Sequence, residues 1–226
     1  MPIVPNIADF NHNNPVNFSE IVASGIWATI HKATQGIGFK DPAYTKRMAA
    51  AKGLGLLWAA YDFATGDNVA SNVAAFLAAA QLGPNDGAWL DFEDNSASNM
   101  TGDQAYDFLD RVSQKLGRAC GIYGGNRIRE QIDHQDPKWI DMARTAPLWQ
   151  CRYIKAQPAD NADLFRLITP IPPWTRNTII QYTGDGVGPK PHTVNGLESG
   201  ADLDVYNGGR DELVKIWAGA PRPGLA

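Results

Sequence analysis

Eight short apolar runs, most of them separated by segments of helical periodicity, constrain the fold of this chain more than any other feature. They are Ile3–Phe10, Ile26–Lys32, Gly55–Phe63, Ala88–Glu93, Ala119–Tyr123, Leu148–Ile154, Thr178–Tyr182 and Ala201–Tyr206. Runs of this length suit buried strands better than core helices. The segments between several of them carry helix signals. Asp41-Pro42 reads as an N-cap and first helical residue, with the helix closing near Gly53. Asp67 is placed to cap the next helix, whose stripe of Val69, Val73, Phe76, Leu77 and Ala80 stops before Gly83. Thr101 and Gln104 have capping-box spacing, ahead of Ala105, Phe108, Leu109, Val112 and Leu116 on one face and then Gly117. Further helices are expected at Phe18–Ser24, Arg127–Ile132 and Pro137–Arg144.

Strands alternating with helices imply a parallel sheet. Eight of them in 226 residues favour a closed (β/α) barrel over an open sheet. A hydrophobic fraction of 44% is enough for such a core. After Tyr153 the helical signal fades, and Ala156–Asn177, with Pro158, Pro170, Pro172 and Pro173, reads as a long loop. The expected fold class is therefore α/β: a single irregular (β/α) barrel over residues 1–217, lacking some outer helices in its C-terminal half. A loose tail is expected over 218–226.

Composition removes several functions. A net charge of −4 without any basic cluster argues against nucleic acid as a partner. Cys120 and Cys151 lie in apolar runs and read as buried free thiols, and no Cys/His spacing suits a metal. No run approaches the roughly 18 apolar residues of a membrane span. The N-terminus lacks the basic and apolar regions of a signal peptide, so synthesis in the cytoplasm is expected.

The chemistry gathers in acids. If Ala88–Glu93 is a strand, Trp89, Asp91 and Glu93 share one face, and the Cβ atoms of Asp91 and Glu93 lie roughly 6–7 Å apart. Two carboxylates so close are costly unless paired, solvated or used. Barrel enzymes work at the C-terminal ends of their strands. Asp9 lies near the end of the first run, Asp91 and Glu93 end the fourth, and Asp202 lies in the eighth, beside the first. Tyr61, Trp149, Tyr153 and Tyr182 fall late in their runs, as core residues or as platforms for sugar rings. His12 and His31 read as structural or rim residues. Acids with aromatics suit glycoside hydrolysis or a divalent metal site for phosphoester cleavage.

The identity of these residues carries a resemblance. Asp91-Phe-Glu93 resembles the Asp-x-Glu signature of the family 25 glycoside hydrolases, the Chalaropsis-type lysozymes. Further landmarks follow in family order: Asp9, Ile30-His-Lys-Ala-Thr-Gln-Gly36, Asp41-Pro42, Gly55 to Tyr61-Asp-Phe63, Leu148-Trp149 with Tyr153, Gln181-Tyr182-Thr183, and Asp202-Leu-Asp204 near Gly208. The resemblance implies a muramidase that cleaves the β-1,4 bond between N-acetylmuramic acid and N-acetylglucosamine in peptidoglycan, without a cofactor. By position, Glu93 matches the general acid, Asp91 the residue that stabilises the oxocarbenium-like centre and orients the acetamido group, and Asp9 and Asp202 the flanking acids. Tyr61, Trp149, Tyr153, Tyr182 and Asp62 are the expected substrate-binding set. The chain departs from the family pattern at Asn11 and Asn14, at Asp62 (in place of a His) and at Ile180 (in place of a Trp). With shielding by Trp89 or Tyr61, Glu93 should stay protonated while Asp91 ionises. The expected setting is a monomeric phage-type endolysin, or else an enzyme carried by a secretion or tail apparatus, that acts on the bacterial cell wall after release. The alternatives are a non-catalytic wall-binding barrel and a metal-dependent phosphodiesterase.

Overall fold

The computed structural model describes residues 2–95, 98–197 and 202–219. Each apolar run holds a strand. In chain order these are β1 (Ile7–Phe10), β2 (Ala28–Gln35), a two-residue β3 (Phe39–Lys40), β4 (Leu57–Phe63), β5 (Gly87–Asp91), β6 (Gly121–Gly124), β7 (Leu148–Cys151), β8 (Ile179–Thr183) and β9 (Asp202–Tyr206). They pair in the order β1-β9-β8-β7-β6-β5-β4-β2, and β1 also pairs with β2, so eight strands close a barrel. β3 lies outside it, folded back antiparallel on β2.

One strand breaks the expected parallel pattern. β9 runs antiparallel to both β8 and β1. An antiparallel pair needs no crossover to the far end of the barrel. The chain therefore re-enters at the same rim it left, and Asp202, the first residue of β9, lies at the mouth. In a parallel eighth strand that residue would start at the closed end.

The helices are α1 (Phe18–Ala23), α2 (Tyr44–Gly53), α3 (Val69–Ala80), α4 (Gly102–Leu116), α5 (Asn126–Gln131), α6 (Pro137–Thr145), α7 (Asn161–Leu167) and α8 (Arg210–Trp217). The capping box of α4 forms as expected, with Thr101 and Gln104 each accepting from the other's backbone N–H. Two caps differ. α2 starts at Tyr44, and Asp41 instead accepts from the backbone N–H groups of Ala43 and His12. Asn68 rather than Asp67 caps α3, and Asp67 accepts from the Thr65 hydroxyl at 2.7 Å. α7 lies within the stretch expected to be a loop, where Asp160 accepts from the Asp163 backbone N–H and starts a short helix between prolines.

The sheet separates two apolar layers. Outside it, Trp58, Leu90, Phe92, Phe76, Phe108 and Trp139 pack between strands and helices. Inside, Ile7, Ile30, Trp89, Tyr123, Trp149 and Ile179 fill the barrel. Alternation along β5 sends Trp89 inward and Leu90 outward. Trp89 has room because its register partner on β6 is Gly121, where any Cβ would collide with the indole. α8 closes the bottom: Leu213, Ile216 and Trp217 join the interior layer, with Trp217 so close to Gly87 that a Cβ there would lie 2.9 Å from its ring. Cys120 is buried as expected, whereas Cys151 is half-buried. Among the described residues no helix is long and apolar enough to cross a membrane. From residue 220 onward the expected tail lies outside the described residues.

Candidate active site

The site is built from the strand ends at the mouth. β5 stops at Asp91, and the Phe92 N–H still donates to the Tyr123 carbonyl at 2.9 Å. Asp91 is thereby held at the top of the barrel interior, buried, with Oδ1 making no hydrogen bond among the described residues. Glu93 lies past the strand and is half-buried. It lines a cavity of about 490 Å³ together with Gly125, Arg127, Cys151, Arg152 and Tyr153. Glu93 is thus the carboxyl with open access, and Asp91 is the deeper one behind it.

Asp9 and Asp202 are register partners on β1 and β9. Gln181 donates to Asp9 Oδ1 at 3.1 Å, while its own Oε1 accepts from the Tyr123 hydroxyl at 2.6 Å and the Tyr153 hydroxyl at 3.1 Å. Below Asp202 on the same inward face, Asp204 accepts from the Trp149 indole N–H at 2.6 Å. One hydrogen-bonded layer therefore joins β1, β6, the end of β7, and β8, and a buried acid lies beneath it.

Every carboxyl of this group is pushed towards its protonated form. Burial is the largest cause throughout. The charges of Asp204 and Asp202 add to it at Asp9, and Glu93 adds to it at Asp91. Asp94 adds to it at Glu93. Asp202 is pushed up to about 7 by burial, then by Asp185 and Glu93. Burial also raises Asp204, against the Trp149 hydrogen bond that lowers it. Glu93, expected to be shielded, is thus the less buried of the two, and Asp91 lies deeper. The positive charge of Lys32 is what favours ionised Asp91.

The expected aromatic set divides. Tyr61 is buried inside the barrel near Asp91, Asp9 and Asp202, whose charges add to burial in raising its pKa. Tyr153 is half-buried and lines the cavity. Trp149 does not reach the mouth: it is 1% exposed, its ring lies 4.3 Å from that of Tyr123, and its N–H serves Asp204. Tyr182 points to the outer layer, fully buried, and donates to the Pro191 carbonyl at 3.0 Å. Asp62 is also fully buried and accepts from the Thr34 hydroxyl at 2.6 Å, which ties β4 to β2. Trp149, Tyr182 and Asp62 are therefore buried and do not line the cavity that Glu93 faces. His12 pairs with Asp41 at 3.0 Å, and His31 stacks on Trp58, as structural residues do.

Four residues at the site, Lys32, Tyr123, Gln181 and Asp204, were given no role from sequence, although Lys32, Gln181 and Asp204 lie in the family landmarks. The two-residue step from Asp202 to Asp204 was a signal that both share a face. Nothing local marks Gln181 as the partner of Asp9, 172 positions away. Among the described residues no group of three or more His, Cys, Asp or Glu is arranged to hold a metal ion.

The sequence matches the family described as glycosyl hydrolases family 25 over residues 9–190. The chain belongs to glycosyl hydrolase family 25. Similar solved structures include a muramidase from Trichobolus zukalii, at 24% identity over 95% of this chain and 99% of that one, with a TM-score of 0.75. A family GH25 lysozyme from Aspergillus fumigatus is 21% identical over 94% of this chain and 98% of that one, with a TM-score of 0.74. The catalytic domain of endolysin ply40, from bacteriophage P40 of Listeria monocytogenes, is 17% identical over 96% and 98%, with a TM-score of 0.69. At these identities the likeness is one of fold. No curated protein sequence matches the chain significantly. As a family 25 enzyme the chain is a glycoside hydrolase. The family match begins at Asp9 and includes Asp91 and Glu93, but it ends before β9. Barrel closure is what brings Asp202 and Asp204 to the same site.

Proposed function

We propose that this glycoside hydrolase is an N-acetylmuramidase that cuts the β-1,4 bond between N-acetylmuramic acid and N-acetylglucosamine in peptidoglycan. The observation that carries this reading is the pairing of Glu93, open to the cavity, with buried Asp91 two residues before it. Glu93 is the general acid. Its raised pKa keeps a proton available for the bridging oxygen as the C1–O bond breaks and the bonding electrons leave with that oxygen. Asp91 stabilises the positive charge that develops at C1 and orients the neighbouring acetamido group. With the proton on Glu93, Lys32 favours the ionised form of Asp91. Water then adds at C1, and its proton returns to the Glu93 carboxylate.

Asp9 and Asp202 flank the pair, and Gln181 fixes Asp9. Tyr61 lies near the acids and Tyr153 lines the cavity, while Trp149 supports the layer from below. This set of groups needs no cofactor. We assign the whole barrel with its α8 plug, to residue 217, as one catalytic domain acting as a monomer. Delivery to the wall in the manner of a phage endolysin is supported by the likeness in fold to the catalytic domain of endolysin ply40.

The test is mass spectrometry of digested purified peptidoglycan. The wild type should release fragments with new muramic-acid reducing ends. Glu93→Gln should fold normally and lose roughly 10²–10⁴-fold in rate, the usual contribution of a general acid. Activity should also decline as pH rises through the raised pKa of Glu93, because the proton it donates is lost. Full activity in Glu93→Gln, or new N-acetylglucosamine reducing ends, would overturn the assignment.

A further inference from the structure

The cavity is lined by two acids, Glu93 and Asp94, and two arginines, Arg127 and Arg152, but the two arginines are engaged very differently. Asp94 and Arg127 form an ion pair at 2.6 Å. Arg127 also donates to the Met100 carbonyl at 2.5 Å and lies over the Phe92 ring at 5.0 Å, so its charge is engaged within the protein. Arg152 is different. It follows β7 directly, and its backbone N–H is held by the Gln181 carbonyl at 3.1 Å, the residue that also fixes Asp9. The residue is exposed, lines the cavity with Glu93, and its side chain has no hydrogen bond or ion pair among the described residues.

A second unpaired arginine stands close by. Arg129, on α5, is exposed and likewise without an acidic partner among the described residues. Burial and then the positive charge of Arg152 lower its pKa. The chain carries a net charge of −4, with acids available to neutralise surface cations. Arg152 is the one of the two that lines the cavity, and its unmatched positive charge there suits a bound anion. Arg is the side chain suited to a planar carboxylate, through two parallel N–H donors.

We infer that Arg152, assisted by Arg129, is a carboxylate-binding subsite that selects the acidic, peptide-bearing side of the glycan next to the cleavage point. The inference rests on the muramidase reading, because muramic acid places a carboxyl-derived group on the sugar ring itself. Two sources share this chemistry: the lactyl carboxylate of peptide-free muramic acid, and the carboxylates of an attached stem peptide. An arginine fixed one residue beyond β7 discriminates by KM, since it touches no reacting atom.

The experiment uses soluble glycan oligomers of equal length in three forms: with stem peptides, with peptides removed so that lactyl carboxylates are free, and with all carboxyls converted to neutral methylamides. For the wild type, KM should rise on the neutral form. Arg152→Ala should raise KM on the charged forms by roughly three- to tenfold, the scale of a partly exposed charge-assisted pair. It should also remove the difference between charged and neutral substrates. Arg152→Lys should restore part of the preference, and unchanged thermal melting would exclude misfolding. If the wild-type preference disappears with the peptides, the stem peptide is the source; if it persists, the lactyl group is. Either result supports the subsite. A KM change in Arg152→Ala that is equal on charged and neutral substrates, or no change on any, would overturn it. Failure of the wild type to cleave any of the three forms would instead remove the muramidase reading beneath it.

Discussion

Replacing Asp202 by Asn should make the protein more stable, and only at neutral to alkaline pH. Asp202 opens β9 beside Asp9, and burial, with Asp185 and Glu93, pushes its carboxyl up to about 7 from an ordinary 3.8. A carboxyl raised in the folded state binds its proton more tightly there than in the unfolded chain. Below the unfolded pKa both states are protonated and the group contributes nothing. Between the two pKa values stability falls with rising pH, and above about 7 the whole cost is present. A shift of roughly 3 units corresponds to about 4 kcal/mol at most. Asp202 keeps some contact with solvent and shares the cost with its acidic neighbours. About 2 kcal/mol is therefore expected from the isosteric amide. For a chain of this size that is roughly 5 °C in Tm. Urea unfolding of both proteins at pH 4 and pH 8 measures it. Asp202→Asn should be more stable by about 2 kcal/mol at pH 8, with the difference mostly gone at pH 4. A variant no more stable than wild type at pH 8, or equally stabilised at both values, would refute the charge argument.

Other consequences follow from packing. Gly121→Ala places a methyl group against the Trp89 ring in the barrel interior, and overpacking of this kind should cost about 1–3 kcal/mol in chemical denaturation. Thr101→Ala removes half of the α4 capping box and should cost about 1 kcal/mol without changing KM. Tyr182→Phe should lose about 1 kcal/mol of stability with its hydrogen bond to Pro191, and leave wall-hydrolysis kinetics unchanged. An increase in KM for Tyr182→Phe would return that ring to the substrate-binding set.

Much of the site was readable before folding because its residues sit at the ends of apolar runs. Asp9, Asp91, Glu93 and Asp202 each interrupt or terminate a strand-length stretch where a charge is expensive, and all four converge at the mouth. Helix limits marked by strong local chemistry were equally plain, as with Thr101 and Gln104. The cap of α2 was less so, because Asp41 has a competing use in holding the backbone at His12. α7 was hidden by flanking prolines, although its own cap, Asp160, is local.

The sequence by itself determined the eight barrel strands, the closed α/β architecture and four of the acids gathered at the mouth, since hydrophobic periodicity and the cost of burying charge act locally. It did not decide which way a side chain faces. Barrel strands are apolar on both sides, so alternation separates two sets of residues without saying which set lies inside. Tyr182 and Tyr61 look alike in sequence, yet one packs under the Pro191 segment and the other among the acids. Tertiary structure alone decided this, together with the reversal of β9 that brings Asp202 to the mouth and the closure that sets Gln181 against Asp9. Each depends on contacts between residues far apart in the chain, and those exist only once the barrel has closed.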